Sequence, residues 1–150
     1  MPRKIHLAVF SNGQRPAHFA VFIPTGDTGQ VGKLVHVTGN TAAGFFLEFK
    51  RNYDFGQTER RHQIIELAQV IDRHIADTVG NGNGAIDTIA RDRLESVATT
   101  IQPPGRSPNP FDPSAPNCQD WLQSYIEQLA RDGYVPTSAV SIVQNAPKTL

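Results

Sequence analysis

Two short stretches, "AHFAVFIP" (Ala17–Pro24) and "GKLVHVTGN" (Gly32–Asn40), decide how the chain is read. Both are rich in β-branched and aromatic residues and end in Gly, Pro or Asn, which marks them as strands. Successive strand side chains point to opposite faces, so His18 points with Ala20 and Phe22 while Phe19, Val21 and Ile23 point the other way; His36 points with Leu34 and Thr38. Outward from this pair, Lys4–Asn12, Phe45–Asp54 and Arg61–Val70 read as further strands separated by brief turns. In "FFLEFK", Phe45, Leu47 and Phe49 face one way, Phe46, Glu48 and Lys50 the other. The first half is therefore expected to form an antiparallel sheet or small open barrel.

The second half changes period. In "AIDTIARDRLESVATTI" (Ala85–Ile101), Ile86, Ile89, Ala90, Leu94, Val97 and Ile101 fall near helical spacing, which predicts an amphipathic helix. The preceding "VGNGNG" (Val79–Gly84) is a turn, without the lysine of a phosphate-binding loop. A connection holding six of the eleven prolines follows, and a second helix opens at Cys118 with an apolar stripe of Trp121, Leu122, Tyr125, Ile126 and Leu129 and with Gly133 placed to cap its end. The tail predicts one more strand over residues 139–143. The expectation is a single α+β domain, residues 1–150, with its sheet packed against two helices.

Fourteen basic residues balance fourteen acidic ones. No net field draws the chain to nucleic acid or to an anionic membrane, which leaves a small-molecule or peptide/acyl substrate as the expected partner. One cysteine makes no internal disulfide, and the apolar run near the N-terminus is too short for a signal peptide or a membrane span, so a reducing, cytoplasmic setting is expected. A cysteine-based zinc site needs several close thiolates or imidazoles, and neither a metal nor a cofactor is expected.

The chemistry centres on Cys118, at the first turn of its helix, where the partial positive charge of the helix end favours thiolate and is expected to lower the thiol pKa. A cysteine becomes an acyl-transfer nucleophile when a histidine takes its proton and a third polar group orients that histidine. Of five histidines, His18 and His36 share a strand face and are candidates if their strands are neighbours. A lone buried cysteine that only packs is the alternative. Nearby, Asn117, Gln119 and Trp121 are the substrate-binding candidates, against which Asn117 reads as a helix cap, Gln119 as an oxyanion donor or a solvent-facing amide, and Trp121 as core or as a substrate platform. "EFKRNYD" reads as a solvated turn or a pocket rim.

"AHFAVFIP", then "LVHVTG", then "NCQDWL" at a helix start together resemble the lecithin:retinol acyltransferase family and its relatives among the circularly permuted papain-like enzymes, and are similar to PPPDE-type peptidases around the cysteine. The resemblance covers roughly residues 4–135. "LVHVTGN", "FKRNYD" and "NCQ" are also similar to blocks in small fungal proteins. It implies a papain-like, circularly permuted fold in which Cys118 is the nucleophile, His18 the general base and His36 the orienting residue. Asp120 stands where those acyltransferases carry histidine. The expected function is hydrolysis or acyl transfer at an amide, ester or thioester carbonyl, against a non-catalytic binding module that keeps the fold and its cleft.

Overall fold

The computed structural model describes residues 2–27 and 29–150, and of Asp27 the backbone only. Six strands, β1 (Pro2–Phe10), β2 (His18–Pro24), β3 (Val31–Asn40), β4 (Gly44–Asp54), β5 (His62–Ile71) and β6 (Ala85–Asp87), form one open antiparallel sheet in the order β5-β1-β2-β3-β4-β6. Three helices, α1 (Arg93–Thr100), α2 (Cys118–Arg131) and α3 (Ser138–Asn145), complete the domain. The expected α+β class and the five long strands are present, and the sheet is open rather than closed.

Strand alternation sorts the side chains into two cores. Ile5, Leu7, Val9, Phe19, Val21 and Ile23 meet Leu94 of α1, the stripe of α2 and Ala139 and Val143 of α3. Alternate residues, Ala8, Phe10, Ala20, Phe22 and Leu34, lie on the opposite face under Phe55, from the turn after β4. Phe55 stacks on Phe10 at 5.6 Å and meets Phe22 edge-on at 4.7 Å. This second core is small, and the sheet face beyond it is open.

Two expectations are corrected. Residues 85–101 do not make one helix: Ala85–Asp87 pairs with β4, and the helix begins only at Arg93, capped by the Asp92 side chain. Ile86 and Ile89 are exposed, so their spacing marked no buried stripe. The tail is helical, with three helices in place of two. Its buried positions, Ala139, Val143 and Ala146, recur at four and three residues, the period of a helix and not of a strand.

α2 ends as expected. Gly133, at φ +82°, lets its own N–H reach Ala130 O (3.1 Å) and the Tyr134 N–H reach Leu129 O (2.9 Å), closing the last turn. α1 is tied to the sheet by buried charge: Glu95, fully buried, accepts from Arg51 of β4 (2.7 and 3.0 Å) and Lys33 of β3 (2.6 Å). Asp87 accepts from the same guanidinium, and Asp92 pairs with Lys33. Among the described residues, no helix is long and apolar enough to cross a membrane.

Candidate active site

The site forms where β2 and β3 part. Their register runs only from Val21–Pro24 against Gly32–Val35, where Gly32 is required because a Cβ there would stand 2.2 Å from Ile23 O. Upstream of Val21 the edge of β2 that faced β3 is taken over by α2 and the tail. Ala17 O accepts from Gln119 Nε2 (2.9 Å) and from the Cys118 thiol (3.8 Å), and Ala17 N–H donates to Lys148 O (2.8 Å). The Phe19 N–H also faces the sulfur. The thiol thus sits against the backbone on both sides of His18, and standard peptide dimensions put it within about 7 Å of the His18 Cα.

The His18 ring points to the open face, beside Phe10. Its Nε2 lies 2.6 Å from His36 Nδ1, and His36 Nε2 lies 2.8 Å from Glu48 Oε1, Glu48 being the residue paired with His36 across β3 and β4. Burial, with the charge of Lys50 on both rings and of His36 and Arg60 on His18, lowers each pKa from 6.5 to about 3. Both rings are neutral at pH 7, and this fixes their tautomers. A carboxylate only accepts, so His36 donates from Nε2 and accepts at Nδ1; His18 therefore donates from Nε2 and keeps its lone pair at Nδ1.

The thiol contradicts the sequence expectation. Burial pushes the Cys118 pKa up, with Asp120 adding to the rise, and the N–H groups of Phe19 and of the helix start offset this only in part. At 8% exposure the sulfur loses more solvation than the helix end returns. Neither imidazole hydrogen-bonds it among the described residues.

The remaining candidates separate. Asn117 caps α2, accepting from Gln119 N–H (2.9 Å), while its own N–H donates to Asp120 (2.8 Å). Asp120 thus completes a capping box. Gln119 spends both amide hydrogens, on Ala17 O and Lys148 O (2.9 Å each), so it ties elements together and is not a poised oxyanion donor. Trp121, 2% exposed and stacked on Tyr125 with its N–H on Ile101 O (2.9 Å), is core and not a substrate platform.

Two cavities flank this place. One, of about 260 Å³, is lined by Phe10, His18, His36, Lys50, Tyr53 and Arg60; the other, of about 450 Å³, lies by Gln14, Pro16, Asn117, Gln119 and Lys148. Of "EFKRNYD", Lys50 and Tyr53 rim the first cavity and Arg51 is buried in the ion network. Glu48 was the missed residue. Its strand face was legible, but only the β3–β4 register brings it to His36.

A model of a family of unknown function, DUF6540, matches residues 5–136. The chain belongs to the DUF6540 family. No curated protein and no solved structure matches it. Every element of the site in this DUF6540 member, from β2 to the start of α2, lies inside the matched span.

Proposed function

We propose that the protein is a thiol hydrolase or acyltransferase acting on an amide, ester or thioester carbonyl, with a circularly permuted papain-like arrangement. The observation that carries the reading is the hydrogen-bonded chain His18–His36–Glu48, with Cys118 resting against the backbone beside His18. With Glu48 accepting, that chain leaves the His18 lone pair at Nδ1, the ring nitrogen nearer its own backbone. Cys118 packs in the helix-side core while the His18 ring points to the open face, so the reading requires the two to close on each other when substrate binds, as catalytic hydrogen bonds often do.

A protonated resting thiol makes the base essential. As sulfur attacks the carbonyl carbon, the S–H proton passes to His18 Nδ1, and the oxyanion forms beside the Cys118 N–H at the helix start. The intermediate then collapses. The carbon–leaving-group bond breaks and the leaving group takes the proton from His18; water or an acceptor next attacks the acyl-sulfur bond, with His18 again holding the proton. His36 and Glu48 are positioning residues that keep His18 in one tautomer through both halves.

The test is a panel of acyl-thioester, ester and amide substrates assayed with wild type and Cys118→Ala, with intact mass to detect an acyl adduct. Turnover and adduct in wild type, both lost in Cys118→Ala, are expected; turnover unchanged in Cys118→Ala would overturn the reading. The burial and raised pKa of the thiol favour a second reading, a binding module. That reading predicts no adduct with any substrate and equal ligand affinity in both proteins.

A further inference from the structure

The cavity on the open face holds two cations that the fold does not neutralise. Lys50 and Arg60 both line it, and neither has a carboxylate within ion-pair distance among the described residues, whereas the buried Lys33 and Arg51 are each paired with two. Arg60 is held by its Nε on Ser11 O (2.6 Å) with its Cζ 5.6 Å from the Phe10 ring centre, an anchoring that leaves its terminal nitrogens for a ligand. Lys50 Nζ lies 5.7 Å from the centre of the Tyr53 ring. No acidic side chain lines the cavity among the described residues, and Glu48, beside it, is engaged by His36.

We propose that this cavity recognises an oxyanion group of the substrate, a carboxylate or a phosphate, between Lys50 and Arg60 and beside His18. The inference rests on the thiol-enzyme reading for its link to turnover, but the binding site stands on its own geometry. A planar guanidinium on a ring and an ammonium lining the same cavity offer a fork and a point charge to one anion. Binding also bears on the chemistry. Lys50 and Arg60 are two of the charges that disfavour a proton on His18, and an anion between them offsets that effect, so the base strengthens when the correct substrate is bound.

The experiment titrates inorganic phosphate, N-acetylglycine and the neutral N-acetylglycinamide into wild type, following His18 ring resonances by NMR, with the dissociation constant checked by calorimetry. Saturable binding of either anion but not of the amide is expected, and the tighter anion identifies the oxyanion. Lys50→Gln and Arg60→Gln should each weaken it at least tenfold. Lys50→Arg should retain it, as should Arg131→Gln, a charge-matched change on α2, and Cys118→Ser. Thermal melts of each variant establish that it is folded. Absence of saturable binding in wild type, equal binding of the amide, or unchanged affinity in folded Lys50→Gln and Arg60→Gln overturns the anion site. Because Cys118→Ser is assayed for binding alone, that outcome is separate from loss of the acyl adduct, which tests the thiol.

Discussion

At the scale of single residues, the Cys118 thiol and the His18 imidazole oppose simple expectation in the same way, since burial penalises the charged form of each. Cys118 should react with iodoacetamide at pH 7 more than tenfold slower than in urea-unfolded protein, and its rate should keep rising above the free-thiol pKa of about 8.5. A rate already level near pH 6 would reverse the assigned direction. Glu48→Ala frees His36 to turn, and should lower kcat about tenfold with KM little changed, the loss expected when a general base is mis-set. Glu48→Gln, which keeps an acceptor oxygen, should restore most of it, whereas a merely structural role would move both constants together. The two imidazoles were legible in the sequence because alternation within a strand depends only on neighbouring residues. Burial of the thiol was not, since it follows from how Ala17, Gln119 and Lys148 converge.

At the scale of elements, α2 carries both packing and the site, and the two are separable. Trp121→Ala removes a core ring and its N–H bond to Ile101 O, and should cost about 3–5 kcal/mol in urea unfolding, while Asp120→Ala loses half of the capping box and should cost about 1 kcal/mol. Similar losses from the two changes would contradict the division between core and cap. The stripe and the Gly133 cap could be read directly, being set by local period and backbone freedom. The edge strand β6 could not: three residues gain their conformation from the register against Phe49–Arg51 and from Asp87 on Arg51, both supplied by a distant strand. Helix α3 was hidden differently. Val140, Ile142 and Val143 favour strands by type, but the surface they cover has helical spacing.

At the scale of the whole molecule, the paired imidazoles make stability depend on pH. Both are neutral when folded, with pKa about 3, and return to 6.5 when unfolded, so between those values the unfolded chain binds more protons. Stability is complete above about pH 6.5 and falls as pH drops toward 3, more steeply than in His36→Leu; urea midpoints from pH 7 to 4 measure it, and parallel curves for the two proteins would refute the assignment. The contact between Cys118 and Ala17 has a separate effect on how the molecule is made, for it joins residues 101 apart in the chain. Closing such a loop costs about 4 kcal/mol of chain entropy, and contacts of that span form late in folding. A growing chain therefore assembles its histidine pair on neighbouring strands long before any sulfur can be delivered to it, and incomplete chains carry the imidazoles without the thiol.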